Sequence, residues 1–367
     1  MKIGILTHHY VKNFGAYMQS SGLLAVISEN YPDAVVELVD YRVDVHERMN
    51  TKHFFGFKPQ RGDSVGGFVQ KMRLFFTHKR YEDGLPRSER VHTVGEINAQ
   101  KYDLLIVGSD EVWNFNDCAY SPLKFGEGIM CPHITYSASA GGSTAEDVNI
   151  PAAVKEGIKA FQDIAVRDEK TEELVKKLTG RAVVRTLDPV YLYDYRLQVS
   201  DKIKKWVNNK SYILIYDCRL GKKQIKAIVQ YARQNGYNIL GAGEYRNWYS
   251  TTDTVNITPY EWAYLFQKAS AVVTGTFHGT SFSIKYNRPF AAYLTEQNRI
   301  NKVGSLLAEF GLVNQIVDDS GDIVKIMERK IDYKAVNDII DKRKKDSLDY
   351  LFGNIDRIEQ NKMGKHL

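Results

Sequence analysis

The stretch AVVTGTFHGTSFSIKYNRPFAAYL, residues 271–294, holds two short apolar runs separated by a glycine-containing turn and a helix-forming segment. AVVTG predicts a strand, the residues from Gly279 to Asn287 predict a helix, and PFAAYL predicts the next strand. Short continuous apolar runs connected by a helix are typical of parallel strands that are buried on both faces. The stretch therefore predicts one unit of a doubly wound α/β sheet.

The same alternation of strands and helices continues in both directions along the chain. Further strands are predicted at KIGILTH (2–8), VVELVDY (35–41), YDLLIVGSD (102–110), HITYSASAG (133–141) and SYILIYDC (211–218). We therefore predict two tandem Rossmann-like domains that face one another across a cleft, similar to the two-domain GT-B glycosyltransferase architecture. The predicted divisions are an N-terminal domain over 1–193, a linker over 194–210, a C-terminal domain over 211–331 and a charged helical tail over 332–367.

Composition limits the class of protein and the compartment. A chain of 367 residues, 43% of them hydrophobic, can bury a large core, so we expect a globular protein. No apolar run is long enough to cross a bilayer, and MKIGILTHHY leads into a strand pattern without the features of a signal peptide. Cys118, Cys131 and Cys218 lack the spacing of a zinc site or disulfide framework, so we expect free thiols in a reducing cytoplasm.

One segment is both basic and aromatic. Between residues 51 and 90, nine Lys or Arg stand against four Asp or Glu, and the net charge of the chain is +6. Its phenylalanines are Phe54, Phe55, Phe57, Phe68, Phe75 and Phe76. Such a segment suits an anionic membrane surface, and we predict peripheral membrane contact there and no nucleic-acid partner. The alternative is that the aromatic side chains pack back against the body of the protein.

His278 follows the predicted strand AVVTG, close to the start of the next helix. In open parallel sheets, ligands bind at the carboxyl ends of the strands, where loops and helix N-termini converge. Histidine titrates near neutral pH and can act as an acid or a base there, although a surface or core role is the alternative. Thr276, Gly279 and Thr280 offer hydroxyl and amide groups to an anion at the helix start.

Seven stretches in a fixed order carry a resemblance. They are THHYVKNFGAYMQSSGLL (7–24), YDLLIVGSDEVWN (102–114), ITYSASAGG (134–142), IAVRD (164–168), LDPVYL (187–192), VVTGTFHGTSFSIKYNRPF (272–290) and NRINKVGSLLAEFGL (298–312). Together they resemble the polysaccharide pyruvyl transferases. The resemblance implies transfer of the pyruvyl group of phosphoenolpyruvate to a sugar in a cell-surface polysaccharide or its lipid-linked precursor, as a ketal. It further implies a cytoplasmic enzyme that can work at the inner face of the membrane.

The resemblance also implies roles for individual residues on the donor side. His278 matches the histidine of the family's Ser-Arg-Leu-His motif, which makes it the expected general acid. The arginine two residues earlier in that motif is Thr276 here, and a hydroxyl does not replace a guanidinium. We therefore expect other cations at predicted strand ends, Arg167, Arg219 and Arg299, to bind the donor, with exposed structural ion pairs as the alternative for each.

On the acceptor side we expect polar residues that follow the first strands. Asp110 is a candidate to orient or deprotonate an acceptor hydroxyl, beside Ser109, and a helix cap is the alternative. Trp113 would stack on a sugar or pack in the core, and Asn13 and Gly15 would line the acceptor side or form a simple turn.

No cofactor or metal is expected. The first loop lacks both the GxGxxG and the GxxxxGK[ST] spacing, and His8 and His9 are predicted to point to opposite faces of a strand. Two other functions stay open, a nucleotide-sugar glycosyltransferase and a non-catalytic protein that binds glycans or membrane surfaces.

Overall fold

A computed structural model describes residues 1–56 and 65–364 of the chain. Phe57, which the sequence places in the basic aromatic segment, and the end of the predicted tail lie outside the described residues. Within these residues the chain forms two sheets of four and five parallel strands and a separate pair of strands. This architecture confirms the predicted fold class.

The first half is built on the sheet with the order β2-β1-β3-β4. Its strands are β1 (Lys2–Leu6), β2 (Val35–Leu38), β3 (Leu104–Val107) and β4 (His133–Thr135), followed by the pair β5 (Ala165–Val166) and β6 (Val184–Arg185). Its helices are α1 (Phe14–Asn30), α2 (Asp44–Phe54), α3 (Val65–Asp83), α4 (Val94–Ala99), α5 (Ala152–Ala160), α6 (Glu169–Thr179) and α7 (Pro189–Leu192), with a 3₁₀ turn at Pro122–Phe125. All four residues of β3 are buried, as the run LLIV predicts for a central parallel strand.

The second half is built on the sheet with the order β11-β10-β9-β7-β8. Its strands are β7 (Tyr212–Tyr216), β8 (Asn238–Gly241), β9 (Ala271–Thr274), β10 (Phe290–Tyr293) and β11 (Ile316–Val317). Its helices are α8 (Asp201–Asn208), α9 (Lys222–Asn235), α10 (Pro259–Lys268), α11 (Phe277–Lys285), α12 (Gln297–Glu309), α13 (Ile323–Met327) and α14 (Tyr333–Gly364), with a 3₁₀ turn at Val313–Gln315. The predicted unit of residues 271–294 is β9-α11-β10.

Side-chain caps define several helix starts. Thr258 and Glu261 form a reciprocal capping box around Pro259 at the start of α10. Thr276 caps α11, because its Oγ1 accepts the N–H of Gly279 at 3.0 Å. These caps fix where α10 and α11 leave the sheet, so they also fix where the first residues of α11 lie.

The predicted linker and the predicted C-terminal tail each contain a helix that packs against the rest of the protein. The predicted linker 194–210 contains α8, whose Ile203 and Val207 are buried in the core of the second half. The predicted tail is α14, which crosses back to the first half, where Leu351 and Ile355 share an apolar cluster with Ile5 of β1. The second half therefore contacts the first through α14 and through a shared core.

That shared core lies under the cleft. Phe14 of α1 stacks on Trp262 of α10 with 5.6 Å between ring centroids, and both side chains belong to one buried cluster. Buried aromatic pairs of this kind stabilise the contact through apolar burial and ring geometry together. The start of α1 is consequently held close to α10 and α11.

The described residues of the basic aromatic segment form the end of α2, the α3 helix and the loop after it. Phe54 is buried and Phe75 packs against the same core cluster, as the alternative prediction had it. Phe55 and Phe76 are 46% and 62% exposed. Within 1–56 and 65–364, no helix combines the length and the apolar character that crossing a bilayer requires.

Candidate active site

A cleft between the two halves encloses a cavity of about 300 Å³ at the carboxyl ends of β1, β3 and β9. Its lining residues are His8, Val11, Asn13, Ala16, His46, Asp110, Glu111, Asp117 and Arg167 from the first half and Tyr216, Gly275, Thr276, Phe277, His278, Arg299, Lys302 and Val303 from the second. The cavity lies where ligands bind in open parallel sheets. Among the described residues, no group of His, Cys, Asp or Glu side chains could hold a metal ion.

His278 is the second residue of α11 and reaches into this cavity. Its Nε2 lies 3.6 Å from Oδ2 of Asp188 and has no hydrogen-bond partner within the described part of the chain. The other edge of the ring rests on α1, since a Cβ built on Gly15 would lie 2.2 Å from Nδ1 of His278. Glycine at position 15 therefore leaves the space that the imidazole occupies.

Asp188 lies at the centre of a buried polar network. Its carboxylate accepts hydrogen bonds from Nη1 of Arg167 at 3.1 Å and from Oγ of Ser109 at 3.3 Å. Burial alone would raise the pKa of Asp188, but the neighbouring His278 and Arg167 lower it to about 2. Asp188 was not among the residues predicted for the site, although LDPVYL carries the signal of a helix start, an Asp followed by Pro.

Arg167 forms the floor of the cleft beside His278. Its guanidinium contacts Asp188, lies 3.9 Å from Oδ1 of Asp110 and stacks at 4.1 Å on the ring of Phe277. Its Nε is buried and has no hydrogen-bond partner among the described residues. The guanidinium lines the cavity, so its charge is placed to attract an anion bound there.

Asp110 and Glu111 continue the wall after β3. Asp110 adopts a left-handed backbone conformation with φ 76°, which is uncommon for a residue other than glycine and is often found at functional sites. Glu111 forms an ion pair with Lys302 of α12. This pair connects the two halves across the cleft, and neither of its members was chosen from the sequence.

The predicted donor residues have different locations. Arg299 lines the cleft, and its Nη1 donates to the backbone oxygens of Asp217 at 2.7 Å and Gly275 at 3.1 Å. Arg219 does not line the cleft and instead borders a neighbouring cavity of about 330 Å³. Its side chain is 76% exposed and pairs with Glu296 at 3.1 Å. The structure thus brings Arg167 and Arg299, but not Arg219, together with His278.

The residues expected to present donors at the start of α11 serve mainly to build it. Thr276 lines the cleft while its hydroxyl oxygen caps the helix. Thr280 is fully buried, and its hydroxyl donates to the backbone oxygen of Thr276 at 2.9 Å. Gly279 has no room for a side chain, since a Cβ there would lie 2.1 Å from Oγ1 of Thr274. Gly279 and Thr280 therefore pack beneath the cleft.

Of the predicted acceptor residues, some line the cleft and others are fully buried. Asn13 lines the cleft and caps α1 with its Oδ1, which accepts the N–H of Gly15 at 2.8 Å. Ser109 is fully buried in the network around Asp188. Trp113 is fully buried, stacks on Phe125 and donates its indole N–H to the backbone oxygen of Lys124, so the prediction that it meets a sugar is corrected to a core role.

Comparison with known proteins gives a family and a fold for the chain. A family model described as polysaccharide pyruvyl transferase matches residues 13–296. No curated protein matches the chain. Arabidopsis thaliana UGT89C1 superposes with a TM-score of 0.53 at 10% identity, over 96% of this chain and 98% of that one. A Listeria monocytogenes protein assigned as a UDP-N-acetylglucosamine 2-epimerase gives a TM-score of 0.51 at 10% identity, over 94% and 90%.

The two parallel sheets with a cleft between them define a two-domain, Rossmann-like protein of GT-B architecture. The family match covers most of the chain, including Arg167, Asp188 and His278. The chain therefore belongs to the polysaccharide pyruvyl transferase family, as the ordered stretches of its sequence predict.

Proposed function

We propose that this chain transfers the pyruvyl group of phosphoenolpyruvate to two hydroxyls of a sugar, forming a ketal. The observation that carries the proposal is the placement of His278 in the cleft, 3.6 Å from the carboxylate of Asp188 and on the same cavity wall as Arg167. Phosphoenolpyruvate must be protonated on its methylene carbon while its carboxylate and phosphate are bound. A histidine next to an arginine can supply the proton and bind these anionic groups.

The reaction begins with His278 acting as general acid. Its proton is added to the methylene carbon of the donor, which leaves an oxocarbenium-like carbon in the pyruvyl group. One sugar hydroxyl attacks this carbon, phosphate departs, and a second hydroxyl closes the ketal. Asp188 remains ionised near neutral pH and orients the imidazole, the role that a buried carboxylate has beside a catalytic histidine.

The anionic groups of the donor would be bound by Arg167 and Arg299. Both line the cleft near the start of α11, where Arg167 stacks on Phe277 and Arg299 donates to the backbone oxygen of Gly275. A guanidinium can form two parallel hydrogen bonds with a carboxylate or phosphate, which fixes the donor as well as attracting it. These two cations would perform the work of the family arginine at the position of Thr276.

The acceptor is proposed to be a saccharide of a cell-surface polysaccharide or its lipid-linked precursor, met in the cytoplasm at the inner face of the membrane. The test supplies purified protein with phosphoenolpyruvate and a panel of free and lipid-linked saccharides. We expect phosphate release together with a new ketal methyl signal in the NMR spectrum of the sugar.

The matched control is His278→Gln, which should fold with a similar melting temperature and release no phosphate above background. Sugar nucleotides are tested in parallel by melting shift. If the wild-type protein is stabilised by a sugar nucleotide and consumes no phosphoenolpyruvate, the glycosyltransferase alternative replaces this proposal. If it binds saccharides and consumes neither donor, a binding protein is indicated.

A further inference from the structure

A fully buried lysine lies behind the wall of the cleft. Lys124 has no exposed surface, and its Nζ lies 2.7 Å from Nε2 of His8 and 2.8 Å from the backbone oxygen of Ala119. Among residues 1–56 and 65–364, these two atoms are its hydrogen-bond partners. Lysine is almost never fully buried unless it is paired with a charge, so a structural ion pair does not explain this position.

His8 connects this lysine to the cleft. One edge of its ring faces Lys124, and the ring also lines the cavity that contains His278. Because Nε2 is the ring nitrogen that contacts Lys124, Nδ1 is the nitrogen that can meet a ligand in the cavity. The sequence predicted His8 to lie on the first strand, but β1 ends at Leu6, and His8 follows it in the loop at the carboxyl end.

Both groups titrate unusually because they are buried. Burial lowers the pKa of Lys124 to about 7, against the opposing influence of Asp117 and Asp110. Burial and the adjacent Lys124 hold the pKa of His8 well below its ordinary value. Near neutral pH, a neutral imidazole therefore lies beside an amine that is free in part of the molecules.

The proposed reaction needs a base in this part of the cleft. Formation of a ketal from phosphoenolpyruvate removes two hydroxyl protons from the sugar, adds one proton to the methylene carbon and releases the other with phosphate. His278 reaches the cleft from the second half, whereas His8 and Lys124 belong to the first. Efficient proton transfer requires a positioned acceptor within hydrogen-bond reach of the hydroxyl.

We propose that His8, backed by Lys124, is the base that accepts the proton of the attacking sugar hydroxyl, an assignment that rests on the proposed pyruvyl transfer. The O–H bond breaks as the oxygen attacks the pyruvyl carbon, and the proton binds to Nδ1 of His8. In the same step the proton on Nε2 moves to Nζ of Lys124, which becomes an ammonium group.

Other titratable groups surround the pair and enter any pH profile. The ring of His46 lies 5.4 Å from that of His8, and its Nδ1 is 3.1 Å from the hydroxyl of Tyr10. His9 also influences His8, and Asp117, Asp110 and Cys118 influence Lys124. Lys124→Met distinguishes the titration of Lys124 from that of these neighbours, because methionine fills a similar space and does not titrate.

The kinetic test compares the wild type with His8→Gln, Lys124→Met and the control His92→Gln, whose side chain is on the exposed surface. Wild-type kcat should rise with pH through an apparent pKa near 7, that of Lys124. His8→Gln should lower kcat by about 10²-fold with little change in KM for phosphoenolpyruvate. Lys124→Met should lower kcat and remove the rise near 7. Unchanged kcat and an unchanged profile in both variants would overturn the proposal.

A second readout does not depend on turnover. In protein labelled with ¹³C at the lysine side chains, one signal should titrate near pH 7, shift in His8→Gln and be absent in Lys124→Met. If Lys124 instead titrates near the ordinary value of about 10.4, the pair is no base at neutral pH and the inference fails while the proposed function stands. A wild type that consumes no phosphoenolpyruvate, with Lys124 titrating near 7, overturns the proposed function and the base role with it.

Discussion

Gly15 of the first half and His278 of the second half are in direct contact. The imidazole occupies the place where any side chain at position 15 would begin. The same ring lies 3.6 Å from Asp188, which is itself bound to Arg167. The position of the proposed acid therefore depends on three residues that are distant in sequence, and a small displacement would separate it from the network.

Gly15→Ala should displace the imidazole while leaving the fold intact. The new Cβ would lie 2.2 Å from Nδ1 and 2.6 Å from Cβ of His278, so we expect a folded protein with a melting temperature a few degrees below that of the wild type. Misplacement of a reacting group by about 1 Å can cost roughly 10²-fold, and we expect turnover to fall by that order. The control is Gly353→Ala, since a Cβ at position 353 of α14 meets nothing within 4 Å. Equal turnover in both variants would contradict the proposed role of the contact.

Arg167→Lys tests whether the guanidinium binds the donor. Lysine keeps the charge beside Asp188 but loses the planar fork of the guanidinium, so the apparent KM for phosphoenolpyruvate should rise about tenfold or more. Arg219→Lys is the control, because Arg219 lies outside the cleft. A rise in KM with Arg219→Lys would instead restore its predicted donor role.

Thr276→Arg is the reverse test of the donor site. It restores the family's arginine at the start of α11, and we expect tighter donor binding if the cleft retains the family geometry. Thr276 also caps the helix, and a lost cap costs about 1 kcal/mol, so the melting temperature is measured alongside. Weaker donor binding in a protein of wild-type stability would count against this arrangement of the site.

The α2 and α3 helices present a surface with a mixed character. Their buried side, with Phe54 and Leu74, belongs to the shared core. Their outer side exposes Phe55 and Phe76 next to basic residues of α3. Basic residues attract an anionic surface and exposed aromatics can enter its headgroup region, so these helices are the proposed contact with the membrane.

Sedimentation with liposomes tests this contact. We expect the protein to sediment with anionic vesicles at low salt and to be released at high salt. It should not sediment with neutral vesicles. Replacement of Lys71, Arg73, Lys79 and Arg80 by glutamine should abolish sedimentation. Glutamine at Lys334 and Lys345, two exposed residues of α14, should leave it unchanged. Binding that survives the first set of substitutions would show that α3 is not the anchor.

The sequence predicted elements better than it predicted the site. Continuous runs such as LLIV and AVVT identify buried parallel strands, because their pattern is local. The network of Ser109, Arg167, Asp188 and His278 depends on contacts between distant segments, so periodicity could suggest its members but not assemble them. Trp113 and Lys124 could not be assigned for the same reason, since burial is decided by tertiary packing.

At the scale of the whole molecule, the halves are joined on both sides of the cleft. Beneath it lies the shared aromatic core, and across it Glu111 pairs with Lys302. An ion pair that is partly exposed is worth little stability, about 0.2–1 kcal/mol, so its main effect is on the relative position of the halves. The shared core therefore holds the two halves together, and the pair of Glu111 and Lys302 affects how the walls of the cleft are positioned.

A charge swap tests the weaker connection. Glu111→Lys and Lys302→Glu should each lower kcat/KM several-fold, because like charges then face each other across the cleft, and the double variant should recover most of the loss. The control swap is Lys334 with Asp338, an exposed pair on α14, and it should have no effect. If the loss in kcat/KM of the double variant equals the product of the losses of the two single variants, the two residues act independently.

The course of α14 has a consequence for biosynthesis. Ile3 and Ile5 on the first strand share their apolar cluster with Leu351, Ile355 and Ile358 on the last helix. The ribosome makes the strand long before the helix, so one apolar face of the first sheet stays uncovered while the intervening chain is made. We expect the nascent first half to be a client of ribosome-associated chaperones until α14 has left the exit tunnel.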